Sequence, residues 1–254
     1  MSDAAIFGAV AQSALIIGAL LVWRIPQLKR PMVVGGLMAF GSGAVISAVS
    51  IDLVSVSYDE AGELPTALGI AIGCGLYFGI IRLLERRQAP GAEPHADGDA
   101  QRSHGATRKE VRNLTIGMVI DGVPESVAVG LTLHTAALGV SGALVGSIFI
   151  SAVPEAIGIA AAMLAGGIAM SRILVRFSAI VVLGAVFSAV GYTLLVGASD
   201  SMQAIIQSVA AGALLVVVIN EMIPIAVRSI KGWAGLLGAA GFIFAAFLTW
   251  ASGG

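Results

Sequence analysis

The chain has 254 residues, of which 57% are hydrophobic and 11% are charged, and its formal net charge is −1 at pH 7. That composition is too apolar for a soluble domain of this length, and the length of the apolar runs excludes the short alternating strands of a membrane β-barrel. Because lipid otherwise admits only helices as spanning elements, we expect an all-α integral membrane protein.

The apolar runs predict eight transmembrane helices within a single transmembrane domain, residues 1–254. The first run has no basic residue before it and no small-residue cleavage site at its end, so we interpret it as a helix and not as a cleaved signal peptide. The predicted spans are 4–23, 32–57, 64–85, 110–134, 138–165, 173–197, 201–227 and 232–252.

The basic residues lie on one side of this predicted topology. All 14 Lys and Arg residues fall in the odd-numbered connections or within one turn of them, and the even-numbered connections contain none. Because basic loops stay on the cytoplasmic side, we expect a multi-pass protein of the cell (inner) membrane with both termini outside the cytoplasm. A wrong number of spans would have scattered these residues over both sides, so the pattern also favours eight spans.

The longest connection, at about 87–109, joins spans 3 and 4 and is polar, with several prolines and glycines. We interpret it as a flexible cytoplasmic loop. It contains His95 and His104, so a weak metal-collecting loop is the alternative. A solvated linker is favoured, because two histidines nine positions apart in a coil define no coordination geometry.

Glycine is abundant, with 33 residues, and several glycines recur three or four positions apart within one span. Such small residues let membrane helices approach closely. Packing within one bundle is enough to explain them, and a homodimer interface is the alternative. The residues concerned are Gly35, Gly36, Gly41, Gly43, Gly69, Gly73, Gly75, Gly79, Gly235, Gly238 and Gly241.

Five acids lie well inside predicted spans, and no Lys or Arg lies at comparable depth. They are Asp52, Asp121, Glu125, Glu155 and Glu221. Uncompensated, they would together cost more than ~10 kcal/mol, so protons, water or a bound cation must compensate them. The excess of negative charge favours a cation pathway; the alternative is that each acid is protonated and hydrogen-bonded. Asp52 is predicted to be an entry ligand or, alternatively, to snorkel to the outer interface.

Spans 4 and 5 carry two copies of one short pattern, thirty positions apart. Asp121 and Glu125 are four residues apart, and Ser151 and Glu155 hold the matching positions, so each pair projects from one face of its helix. Consecutive spans run in opposite directions, so a local two-fold axis would set the two glutamates facing each other near mid-membrane. Two facing carboxylates form a hard-cation site, or share a proton when no ion is bound.

Prolines accompany these polar residues. Pro124 and Pro154 each precede the glutamate of their helix, and Pro224 follows Asn220 and Glu221 in span 7. A proline removes one helical hydrogen bond and frees a carbonyl, so we predict kinks at all three positions. Asn220 and Glu221 are further candidates for the ion pathway.

These residues resemble the motifs of the ZIP (Zrt/Irt-like) family of divalent metal transporters, as a divergent, bacterial-type member. The family pattern His-Asn-x-Pro-Glu-Gly of helix 4 corresponds to Asp121-Gly122-Val123-Pro124-Glu125-Ser126. The Pro-Glu-Gly of helix 5 corresponds to Ser151-Ala152-Val153-Pro154-Glu155-Ala156, and the His-Glu-x-x-Pro of helix 7 to Asn220-Glu221-Met222-Ile223-Pro224. The resemblance implies eight spans, external termini and a long cytoplasmic loop between helices 3 and 4.

The chain departs from the family pattern at Gly122 and Ala152, where the family has residues that help to hold a second metal, and span 6 contains no acid. The resemblance therefore implies a single metal site between helices 4 and 5. Its ligands would be Asp121, Glu125, Glu155 and, as a weaker donor, Ser151. Zinc is the family default, whereas oxygen-only ligation favours harder ions such as Mn²⁺, Fe²⁺ or Mg²⁺ or low selectivity that admits Cd²⁺.

We therefore expect a transporter that moves a divalent metal ion toward the cytoplasm, with the lipid bilayer as its surroundings, no organic cofactor and no nucleic-acid partner. A transport-inactive or regulatory relative is the alternative, because half of the flanking ligands differ. An intramembrane hydrolase is disfavoured, because the chain has no His-Glu-x-x-His motif and no histidine in the middle of a span. We expect no enzymatic activity.

Overall fold

A computed structural model describes residues 2–87, 122–123, 125–130, 138–165, 167–194 and 199–251, with the side chains of a few helical residues left out. All regular structure in these residues is helical. The predicted cytoplasmic loop, with His95 and His104, lies outside them except for its first residue.

The described residues form eight helical elements, apart from a short 3₁₀ turn at Pro26–Lys29. They are α1 (Ser2–Arg24), α2 (Pro31–Ala61), α3 (Glu63–Arg87), α4 (described at 122–123 and 125–130), α5 (Leu138–Ala165), α6 (Met170–Leu194), α7 (Asp200–Val217 continued by Val218–Met222 and Ile223–Ile230) and α8 (Trp233–Ala251).

Six helices in this part of the chain are long and apolar enough to cross a membrane: α1, α2, α3, α6, α7 and α8. They coincide with predicted spans 1, 2, 3, 6, 7 and 8. Large apolar side chains such as Leu68, Ile72 and Leu76 of α3 remain exposed, as expected of residues that face lipid. The protein is an all-α, multi-pass membrane protein.

Two of these helices contain a π-helical segment, a widened turn that is often found at functional sites. In α7 the segment Val218–Met222 ends two residues before Pro224, which has no N–H to donate to the carbonyl of Asn220. In α2 the segment Val49–Ser55 contains no proline, and the sequence analysis predicted no irregularity there. The α2 segment places Asp52 at the centre of a widened turn.

The buried apolar residues form two clusters. The first joins α1, α5 and α6 and includes Leu15, Ile157 and Phe177. The second is built mainly by α2 and α7. Helices α2 and α8 pack together, as do α3 and α7, and α2 also contacts α5. We name α1, α4, α5 and α6 the first helix group, and α2, α3, α7 and α8 the second helix group.

Helices α4 and α5 form the side of the first helix group that faces the second group. Ala128 and Val129 of α4, and Val145 and Ile148 of α5, belong to the second apolar cluster, although both helices also pack on α1 of their own group. The two helices that carry the repeated sequence pattern therefore occupy the interior of the bundle.

Three helix pairs meet through glycine in the same way. In each pair, a glycine of one helix lies against the carbonyl oxygen three residues before the glycine of the other, and a methyl group there would overlap that carbonyl. Such small residues allow close backbone contact in membranes. The pairs are Gly43 and Gly241 (α2–α8), Gly73 and Gly212 (α3–α7), and Gly130 and Gly191 (α4–α6), and we call them the reciprocal glycine contacts.

Only part of the predicted glycine set takes part in these or other helix contacts. Gly35 and Gly69 lie against Ser229 and Ser208, respectively, so packing within the bundle explains them. Gly75 and Gly79 of α3 and Gly235 of α8, by contrast, have open space where a side chain would begin. Their role in a homodimer stays a prediction.

The helix ends that carry basic residues lie together. Gly35 near the start of α2 contacts Ser229 near the end of α7, so those ends coincide. Helices α3 and α7 run parallel to each other along their contact, whereas α1 and α6 run antiparallel. The ends with Arg82 and Arg172 therefore lie at the same end of the bundle. They join Arg24, Arg30, Arg228 and Lys231 there.

Candidate cation site around helix α4

The structure describes the predicted ligands unequally. Glu125 is described in full, whereas only the backbone is described at Ser151 and Glu155, and Asp121 lies outside the described residues. Among the described side chains, no group of three or more His, Cys, Asp or Glu could hold a metal ion. Because two of the predicted acids are not in that set, the carboxylate site stays a prediction.

The same limits apply to the predicted helix kinks. Pro124 lies outside the described residues, and at Pro154 only the backbone is described. Helix α5 is α-helical without interruption through that proline. At Pro224 the helix changes from a π turn to a regular α-helix.

Glu125 lies in a buried stretch of α4. Its side chain is 6% exposed, and its neighbours Ser126, Ala128 and Val129 are at most 1% exposed. Gly130, one turn further on, lies directly against the backbone of α6 at Ser188. Helix α4 therefore presents its carboxylate inside the bundle, where leaving it charged requires a compensating group.

A polar side chain from α1 reaches α4 beside this glutamate. Gln12 is 2% exposed, and its Nε2 atom donates to the carbonyl oxygen of Gly122 at 3.5 Å and to Ser126 Oγ at 3.4 Å. Ser126 Oγ itself donates to the Gly122 carbonyl at 2.6 Å. These bonds join α1 to the turn of α4 that contains Glu125.

Helix α1 also contacts the second copy of the pattern. Gly18 lies against Ala156 and the carbonyl of Val153 in α5; a methyl group on Gly18 would lie 2.6 Å from the Ala156 Cβ. Ala152, the counterpart of Gly122, belongs to the apolar cluster of α1, α5 and α6. Both motif positions that lack a ligand side chain therefore lie at the α1 interface.

Asp52 lies in the second helix group, within the π-helical segment of α2. It is 2% exposed, so the alternative of snorkelling to the surface is wrong. Thr249 of α8 interacts with the carboxyl, although neither carboxylate oxygen has a hydrogen bond of normal geometry to a described residue. The buried Ser47 hydroxyl likewise has no hydrogen-bond partner among the described residues. Asp52 is thus a second buried carboxyl on another helix.

The other predicted pathway residues lie in the π-helical segment of α7. Asn220 is exposed, and Glu221 is described only in its backbone. Their part in an ion pathway stays a prediction.

The sequence analysis missed Gln12. The available signal was an amide near the middle of an otherwise apolar span, because a buried amide needs hydrogen-bond partners. Neither its direction toward α4 nor its partners could be derived from the sequence.

No protein-family model matches the chain, and no characterised protein matches it either. The resemblance to the ZIP family therefore depends on the motifs of α4, α5 and α7 and on the helical membrane architecture.

Proposed function

We propose that the protein is a ZIP-like transporter that moves a divalent metal ion across the membrane through one carboxylate site between α4 and α5. Its ligands are Asp121, Glu125 and Glu155, with Ser151 as a weaker oxygen donor. The observation that carries the proposal is the burial of Glu125 at 6% exposure on a helix that faces the second helix group. A buried carboxylate is costly to leave charged, and a bound metal ion can offset that cost.

The α1 interface supports a single metal site. Gly122 offers no side chain and faces the Gln12 amide, and Ala152 packs in an apolar cluster. Neither residue has an oxygen or nitrogen atom in its side chain, so these two motif positions offer a second ion no side-chain ligand. The remaining donors are oxygens, which suit Mn²⁺, Fe²⁺ or Mg²⁺ better than Zn²⁺, the ion that the motif resemblance favours.

The proposed topology has eight spans with both termini outside the cytoplasm. Its support is that the basic helix ends lie together at one end of the bundle, which the positive-inside rule assigns to the cytoplasm of a bacterial-type inner membrane. The ion then enters at the opposite end, past Asp52. It displaces protons from the carboxylates on binding and leaves toward the basic end.

The test is uptake of Zn²⁺ and Mn²⁺ into proteoliposomes. We expect Glu125→Gln and Glu155→Gln to reduce the initial rate at least ~100-fold, the upper range for loss of groups that tune metal binding. Glu60→Gln is the matched control, because Glu60 is an exposed acid at a helix end. Uptake that both interior variants retain at the wild-type rate would overturn the proposal.

A transport-inactive relative is the second candidate, and the missing ligand side chains at Gly122 and Ala152 favour it. Equilibrium binding separates the two. A transporter binds at least one divalent ion saturably near neutral pH, whereas the inactive relative binds none.

A further inference from the structure

The side chain of Gln12 is unusual for its position. It lies near the middle of α1, among apolar residues, and is 2% exposed. A buried amide without partners costs roughly 1–3 kcal/mol in proteins. Its partners in α4 offset this cost, so the contact is a specific one between two helices.

Two glycines on neighbouring helices make room for this one side chain. A methyl group on Gly122 of α4 would lie 3.4–3.6 Å from the Gln12 amide atoms. A methyl group on Gly184 of α6 would lie 2.5 Å from Gln12 Cγ and 3.1 Å from Ser126 Oγ. The amide therefore occupies the space directly over Gly122, and a side chain at residue 184 would displace it.

The hydrogen bonds form a short chain. Gln12 Nε2 donates to Ser126 Oγ, and Ser126 Oγ donates to the carbonyl of Gly122. Ser126 and Gly122 directly follow Glu125 and Asp121 in the sequence. Each acid is therefore followed in the sequence by a residue that takes part in the hydrogen bonds that begin at Gln12 of α1.

We infer that Gln12 is a positioning residue of the carboxylate site: its amide holds Gly122 and Ser126 of α4 and so sets the direction of Glu125. This inference rests on the proposed function. The Nε2 distances, 3.4 and 3.5 Å, are long for hydrogen bonds, so each bond is individually weak.

Helix α1 fits this role because it contacts both motif helices. Gln12 binds α4, and Gly18, six positions later, lies against α5 at Val153 and Ala156. Groups that orient metal ligands typically change metal affinity 10–100-fold when they are removed. Gln12 thus determines affinity without touching the ion.

The first test asks whether the contact exists, without metal. Unfolding of wild type, Gln12→Met, Ser126→Ala and the double variant is measured in detergent. We expect non-additive effects, with the double variant no less stable than the weaker of the two single variants, since both changes break one chain of bonds. Strictly additive effects would show that Gln12 and Ser126 do not interact, which would overturn the inference.

The second test measures Zn²⁺ and Mn²⁺ binding by calorimetry. We expect Gln12→Met to weaken binding about tenfold at unchanged stoichiometry. Gln207→Met is the matched control: Gln207 is equally buried, lies in α7 of the second helix group, and is expected to leave the affinity unchanged. A structural role alone would change the unfolding midpoint in both variants and the affinity in neither.

The outcomes separate this inference from the proposed function. If wild type binds an ion and Gln12→Met binds it equally well, the inference is wrong and the transporter proposal stands. If wild type binds neither ion, the proposed function fails and the role of Gln12 fails with it.

Discussion

The two helix groups differ in the hydrogen bonding around their buried acids, Glu125 in the first group and Asp52 in the second. In the first group, the turn that carries Glu125 is held by hydrogen bonds from Gln12 and Ser126. In the second group, Asp52 lies in a π-helical segment, and neither of its carboxylate oxygens has a hydrogen bond of normal geometry in the described part of the chain. Ser47, in the same helix, has a buried hydroxyl that no described residue bonds.

The two buried acids are therefore not equivalent. A turn tied to its neighbours keeps its geometry when an ion enters or leaves, which suits a binding site. A carboxyl with little more than a weak contact to Thr249 is held mainly by packing, and it carries a cost that folding must offset elsewhere. The two groups nevertheless share one device, the reciprocal glycine contact, which occurs within both.

The largest change in the free energy of unfolding is expected from disrupting a reciprocal glycine contact. Gly73 and Gly75 lie two residues apart on α3, but Gly73 lies against the carbonyl of Val209 and Gly75 faces open space. We expect Gly73→Ala to lower the free energy of unfolding by about 2–3 kcal/mol, because α3 and α7 must separate to admit the methyl group. Unfolding in mixed micelles, followed by circular dichroism, measures it.

The matched variant is Gly75→Ala. It gains helix propensity without a collision, so its stability should equal or exceed that of wild type by up to about 1 kcal/mol. Equal losses in the two variants would mean that α3 and α7 do not meet as described.

The next effect tests the acid of the second group. We expect Asp52→Leu to raise the free energy of unfolding of the ion-free protein by about 1–3 kcal/mol, because a buried carboxyl with little hydrogen bonding is replaced by an apolar side chain of similar size. A loss of stability instead would indicate that an ion or a group outside the described residues binds this carboxyl.

The smallest effect belongs to the first group. Ser126→Ala removes the hydroxyl that donates to Gly122 and accepts from Gln12, so we expect a loss of about 1 kcal/mol. The opposite signs for Asp52→Leu and Ser126→Ala are the direct measure of the difference between the groups. If both substitutions changed the free energy of unfolding in the same direction, the two groups would not differ in this way.

The sequence predicts the candidate site because acids in apolar runs are rare enough to be noticed. The equal spacing of Asp121–Glu125 and Ser151–Glu155 predicts a common face on each helix. Of these four side chains the structure describes Glu125, which is buried as expected of an acid inside a span, and the common face stays a prediction. Gln12 was not predictable, because its partners lie more than 100 positions away in the chain.

Composition and the lengths of the apolar runs were enough to predict the helical membrane class and the positions of six long apolar helices, since the thickness of the bilayer and the cost of unpaired backbone groups leave few other solutions. Which helices meet could be seen only in the folded protein. Gly73 and Gly75 are alike in sequence, yet only one lies against a neighbouring backbone. Contact between helices depends on the shapes of two surfaces at once, and a single span specifies only one of them.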